Sequence, residues 1–182
     1  MFFDQSDFDI RCEWGIEGVE HLAHECDAVI IVDVLSFTTS VDVAVGRGAA
    51  VYPYRWRDES AAEYARSLGA ALGGSNRSEG YSLSPASLLN IPSGTRLVLP
   101  SPNGSTLSLA TGRVPTFAGC LRNAPAVAEA AQVTGRRILV VPAGERWRDS
   151  RTLRPAFEDL LGAGAIIHQL RGTKSPESIL AE

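Results

Sequence analysis

The run Ala28-Val29-Ile30-Ile31-Val32-Asp33-Val34 limits the fold more than any other stretch of the chain. It is apolar and β-branched almost throughout, without the alternation of a strand that has one wet face. Such a run predicts a strand covered on both sides, the hallmark of a parallel sheet between helices. Residues 96–99 and 138–141 share that character, and residues 49–54 and 114–118 are weaker candidates. Helical patterns separate them at residues 37–47, Glu59–Leu68, 124–133 and 155–170. Strand and helix therefore alternate along the chain, which predicts an α/β fold with helices on both faces of the sheet.

The punctuation agrees. Asp58 is placed to cap the helix that follows it, as is Asn123, with Pro125 in the first turn. Gly46 and Gly48 end the helix of residues 37–47. Gly162, Ala163, Gly164 and Ala165 give the last long helix a face that can approach a sheet closely. Residues 72–92 are rich in turn formers and have no clear period, so they are expected to form an irregular loop region within a single domain spanning 1–182.

Composition excludes several classes. At 182 residues and 45% hydrophobic the chain can bury a real core. The net charge is −4, Lys is scarce and no segment is a basic run, so nucleic-acid binding has no electrostatic footprint. Cys12, Cys26 and Cys120 form no CxxC pair, which argues against a disulfide scaffold or zinc site. His21, His24 and His168 fit no metal spacing. No window approaches the ~18 apolar residues of a membrane span, and the acidic N-terminus does not read as a signal peptide. The expectation is a soluble cytoplasmic protein. No GxGxxG follows a strand, so a dinucleotide cofactor is disfavoured.

In open α/β sheets, ligands bind outside the carboxyl ends of the strands. Four such junctions carry polar groups: Asp33 with Ser36, Thr38 and Thr39; Ser101 to Thr106; Gly119 to Asn123; and Gly144-Glu145-Arg146. Asp33 has two readings, a helix cap or a metal ligand, because a carboxylate ending a buried strand needs compensation. Likewise Asn103-Gly104 reads as a plain turn or, with Ser105 and Thr106, as an anion cradle at a helix start. Cys120 could be a nucleophile, although a buried thiol is the simpler reading. Glu158 and Asp159 precede an apolar helix face, and one of them could point at the strand ends to complete an oxygen-rich site suited to Mg²⁺.

Taken in order, the segments Val32 to Thr39, Ser101 to Ser105, Gly119 to Ala124, Ala143 to Trp147 and Glu158 to Ile167 resemble the 2-phosphosulfolactate phosphatase family (ComB-like). The resemblance implies a three-layer α/β/α sandwich with a mainly parallel, mixed sheet. It further implies Mg²⁺-dependent hydrolysis of a small phosphomonoester, sulfonated in the family's named members and belonging to coenzyme M biosynthesis. On that basis Asp33, Glu145 and Asp159 are expected to be catalytic, and Asp33, Glu145, Glu158 and Asp159 to hold the metal. Ser36, Thr38, Thr39, Asn103, Gly104, Ser105 and Asn123 would bind phosphate, while Arg77, Arg122 or Arg146 would recognise the substrate's acidic end. The family pattern often carries Arg-Ala where this chain has Ser36-Phe37, and the family's usual C-terminal portion is expected to be missing. A non-catalytic, relict anion-binding domain of the same fold is the alternative. The 162–167 stretch is also read as a surface that could pair with a second copy.

Overall fold

The computed structural model describes residues 4–74, 80–150 and 152–182. Its central sheet has the order β1 (Ile10–Cys12), β7 (Ile138–Pro142), β2 (Ala28–Val32), β6 (Thr116–Gly119), all parallel. The run that opened the sequence reading is the inner strand β2, buried along its whole length. Its side chains divide by parity, as a pleated strand requires. Ile30 and Val32 join Ile138 and Val140 on one face, packed by helices α5 (Ala124–Thr134) and α6 (Phe157–Ile167). Val29 and Ile31 join Leu139 and Val141 on the other, packed by α1 (Gly15–Leu22) and by Leu107 of α4 (Gly104–Ala110). Each such side chain contributes about 1.5–3 kcal/mol relative to exposure, so this sheet fixes the scaffold. The result is the expected three-layer α/β/α sandwich.

A second parallel sheet has the order β3 (Ala50–Tyr54), β5 (Arg96–Pro100), β4 (Ala71–Leu72), with α3 (Glu59–Leu68) beside it. Helix α2 (Phe37–Gly46) closes its core: Phe37, Val43 and Ala44 meet Leu97 and Leu99. Because α2 leaves β2 and leads to β3, it couples the two sheets. β8 (Glu145–Arg146) and β9 (Leu153–Arg154) form a short antiparallel hairpin, and α7 (Pro176–Ala181) docks on β1 through a Ser178 hydroxyl bond to the Ile10 carbonyl (3.0 Å).

Three readings change against this structure. The described parts of the 72–92 region, residues 72–74 and 80–92, carry more regular structure than their composition implies. They supply β4, a bridge from Gly74 to Ser82 and a 3₁₀ turn at Pro85–Leu88, and they bury Leu88 and Ile91 completely or nearly so. Asn123 is the N-cap residue of α5, as expected, but its side chain makes no capping bond to the helix. Its Oδ1 instead accepts from the Cys120 N–H (2.8 Å) and its Nδ2 donates to the Ala118 carbonyl (3.0 Å), closing the turn before the helix. The 162–167 stretch is spent inside the chain. A Cβ on Gly162 would stand 2.8 Å from Val32 and Val34, and one on Gly164 would strike the Ala181 carbonyl. That stretch therefore offers no free face for a second copy. Asp58 does cap α3, accepting from the Ser60 N–H at 3.0 Å.

Candidate active site

The carboxyl ends of β2 and β7 in one sheet and of β5 in the other meet at Asp33. Its side chain lies between two helix starts. Oδ2 accepts the Gly104 N–H at the head of α4 (2.7 Å), Oδ1 accepts the Phe37 N–H at the head of α2 (3.4 Å), and the Ser101 hydroxyl stands 3.5 Å from Oδ2. Free N–H groups at helix starts favour a carboxylate there. Burial opposes them: Asp33 is only 7% exposed. Desolvation is the largest influence and pushes its carboxyl above the ordinary range, with the negative charge of Glu145 adding to it.

Glu145 starts β8, just beyond the end of β7, and accepts from the Asn103 side-chain amide (3.0 Å). Asn103 and Gly104 are consecutive, so a single turn holds Glu145 with a side chain and Asp33 with a backbone N–H. Asp159, 4% exposed in the first turn of α6, accepts from the Val34 N–H (2.8 Å) and the Gly144 N–H (2.9 Å). Burial first, then the charge of Asp33, raises its carboxyl from 3.8 to about 7 against the pull of those two donors. Among the described residues no Lys or Arg forms an ion pair with Asp33, Glu145 or Asp159.

The raised Asp159 carboxyl carries a definite sign. Its folded-state value exceeds the unfolded one, so the folded state holds the proton more tightly. Stability from this group is complete below about pH 4 and is lost as pH rises through about 7. In metal-free buffer the melting temperature is therefore expected to fall between pH 5 and pH 8, and Asp159→Asn is expected to flatten that slope. Circular-dichroism melts of the two proteins check this; a wild-type slope of opposite sign would refute it.

The hydroxyls after Asp33 are used within the chain. The Thr38 hydroxyl donates to the Asp33 carbonyl (2.9 Å) and accepts its N–H (3.1 Å), and the Thr39 hydroxyl donates to the Val34 carbonyl (2.8 Å). Ser36 and Ser40 both donate to the Leu83 carbonyl, pinning the 72–92 region onto α2. Ser105 is fully buried and donates to the Leu99 carbonyl (2.9 Å). Arg122 pairs with Asp42 (2.9 Å) at the rim of a groove of about 550 Å³ lined by Leu35, Ser36, Thr39, Ser84 and Leu121. A separate cavity of about 290 Å³ is lined by Trp14, Asn103, Thr106, Glu145, Arg146 and Leu153. Arg77 lies outside the described residues, and Cys120 is a buried free thiol.

Two features escaped the sequence reading. Arg154 sits opposite Glu145 in the β8–β9 register, its guanidinium 5.8 Å from the Trp147 ring centre. Strands two residues long leave no periodic signal. The backbone anchoring by Asp159 was equally invisible, because a carboxylate that accepts two N–H groups looks in sequence like any other acidic residue.

A profile of the 2-phosphosulpholactate phosphatase family matches residues 17–181. The chain belongs to that family. A probable 2-phosphosulfolactate phosphatase of Carboxydothermus hydrogenoformans is 32% identical over 160 residues, covering 84% of this chain and 64% of its own length. One from Prochlorococcus marinus is 31% identical over 169 residues, covering 86% of this chain and 67% of its own. The chain thus spans about two thirds of the length of the curated relatives it matches. For a 2-phosphosulpholactate phosphatase family member, the acidic group at the strand ends is the natural place to ask whether a cation fits. Among the described residues no three or more His, Cys, Asp or Glu side chains converge as a cage. Glu158 stays half-buried beside Asp159, and both Asp159 oxygens are bonded to backbone N–H groups. Asp33 and Glu145 are two hard-oxygen groups whose charges repel across a shared turn, and the Phe37 N–H bond to Asp33 Oδ1 is longer (3.4 Å) than either bond to Asp159. Mg²⁺ binds through one or two carboxylates together with water and substrate phosphate, so this pair fits it. Among the described residues no helix is long and apolar enough to cross a membrane.

Proposed function

We propose that the chain is a Mg²⁺-dependent phosphatase acting on 2-phosphosulfolactate or a related phosphorylated hydroxy acid. The observation that carries this reading is the Asp33–Glu145 pair, two carboxylates that no Lys or Arg among the described residues pairs with, held by consecutive residues at the carboxyl ends of parallel strands. Bound there, Mg²⁺ would neutralise charge on the transferring phosphoryl group and lower the cost of forming the attacking nucleophile. The chain's own contribution is preorganisation. The Gly104 N–H fixes Asp33 Oδ2 at 2.7 Å and the Asn103 amide fixes Glu145 Oε2, so ligation would fall to Glu145 Oε1 and to Asp33 Oδ1, which is held only by the longer Phe37 N–H bond (3.4 Å). Arg122 in the groove beside Ser36 and Thr39, and Arg146 with Arg154 at the hairpin beside Glu145, supply guanidinium groups that would recognise the acidic groups of the substrate. Trp147 holds Arg154 by its ring face, which reduces the freedom that binding would have to remove.

The direct experiment measures phosphate release from 2-phosphosulfolactate, phospholactate and phosphoglycolate, each with Mg²⁺ and with chelator. Release is expected only with metal, and fastest from 2-phosphosulfolactate, which carries a sulfonate in addition to the carboxylate that all three esters share. Absence of metal-dependent release from every ester, with thermal stabilisation by phosphate or sulfonate, would replace this reading with that of an anion-binding domain.

A further inference from the structure

The ladder between β2 and β7 ends where the Ala143 N–H donates to the Val32 carbonyl (2.8 Å). Past that bond Asp33 and Val34 lead into α2, whereas Gly144, at φ +66°, turns into β8. The N–H groups of Val34 and Gly144 are thus beyond the ladder, in a buried place where an unpaired donor is costly. One carboxylate serves both. Asp159 accepts from Val34 through Oδ1 (2.8 Å) and from Gly144 through Oδ2 (2.9 Å). An acidic residue third in a helix commonly turns back to its own N-cap; here both oxygens reach across to other segments. Gly162, one turn along, lets α6 come close enough, since any Cβ there would press on Val32 and Val34 at 2.8 Å. Val34 directly follows Asp33, and Gly144 directly precedes Glu145.

We propose that Asp159 is a positioning residue: it clamps the two diverging strand ends and so sets the spacing between Asp33 and Glu145, without touching substrate. Its kinetic consequence rests on the phosphatase reading above. Asp159→Asn keeps the shape but offers one acceptor where two are needed and turns an NH₂ onto the other N–H. Well below its melting temperature, that variant is expected to lose about 100-fold in kcat, the scale of a misplacement near 1 Å. Substrate KM should stay within about two-fold, as for a group that makes no substrate contact. The second readout is amide hydrogen exchange by NMR. Val34 and Gly144 are expected to be protected in the wild type and to lose protection in the variant, while Ile31 and Val141 inside the ladder keep theirs.

Unchanged exchange at Val34 and Gly144 would overturn the proposal, as would a KM that rises in step with the loss of kcat. A displaced Mg²⁺ requirement with exchange intact would make Asp159 a ligand instead. Should Asp159→Asn fail to fold, Asp159→Glu keeps the charge one methylene out of place; it is expected to show the same loss of protection and kcat, and native behaviour would overturn the clamp. A wild type that releases no phosphate from any ester removes the phosphatase reading, and the exchange data still decide whether the clamp exists.

Discussion

Asp33→Asn is expected to lower metal-dependent kcat/KM on the order of 10³-fold or more while leaving the fold intact, the scale seen when one preorganised electrostatic group is lost from an active site. The argument is local. Asn has the same shape as Asp, and its oxygen can still accept the Gly104 N–H that Asp33 accepts at 2.7 Å. What disappears is the negative charge. That charge is expensive here, because burial already pushes the Asp33 carboxyl upward and Glu145 repels it. A buried carboxylate that has N–H donors at two helix starts, but no ion pair among the described residues, still costs more in desolvation than those donors return. The variant's metal-free melting temperature is therefore expected to equal or exceed that of the wild type, opposite in direction to the activity. Phosphate release and a thermal melt in chelator measure the two effects. Retained turnover would remove Asp33 from the metal site; a large fall in melting temperature would make it structural.

The sequence shows the scaffold well because the scaffold depends on properties that repeat. The β-branched residues of β2 report burial on both faces, and the small residues at 162–165 report a helix lying close to the sheet. β1 and β4 lack that signal, having three and two residues. The site is legible at a coarser level. Asp33, Asn103, Gly104 and Glu145 lie at strand ends, and topology alone directs attention there. Some of the decisive bonds join distant segments, 42 residues apart for Asn103 and Glu145 and 125 for Val34 and Asp159, and others are local but leave no mark in the sequence. Thr38 and Thr39 look like phosphate donors in sequence, yet their hydroxyls serve the carbonyls of Asp33 and Val34. These two residues leave β2 for α2, so the strand ladder cannot satisfy their carbonyls. Asp159 carries the same lesson: its bonds to the Val34 and Gly144 N–H groups join segments whose meeting the sequence does not show.

Gly104→Ala is expected to damage stability and activity together, the second large effect. The backbone at Gly104 has no positive φ, so conformation does not demand glycine. Space does. A Cβ would stand 2.7 Å from Asp33 Oδ2 and 2.8 Å from Phe37 Cγ, and nearer still to Phe37 Cδ1. Phe37 cannot yield easily, being 2% exposed and packed among Leu97 and Leu99. If α4 moves instead, the Gly104 N–H leaves Asp33 and the Asn103 amide is drawn off Glu145. Overpacking of this kind costs about 1–3 kcal/mol, or roughly 3–10 °C in melting temperature for a chain of this size. The shift of two carboxylates should cost about 100-fold in kcat. Gly46→Ala is the matched control: a Cβ there meets nothing within 4 Å, and Gly46 is the last residue of α2. Alanine at that position is expected to leave activity alone and to change stability by less than the roughly 1 kcal/mol that separates Gly from Ala in a helix interior. Should Gly104→Ala melt and turn over like Gly46→Ala, the close approach of α4 to Asp33 would not be what builds the site.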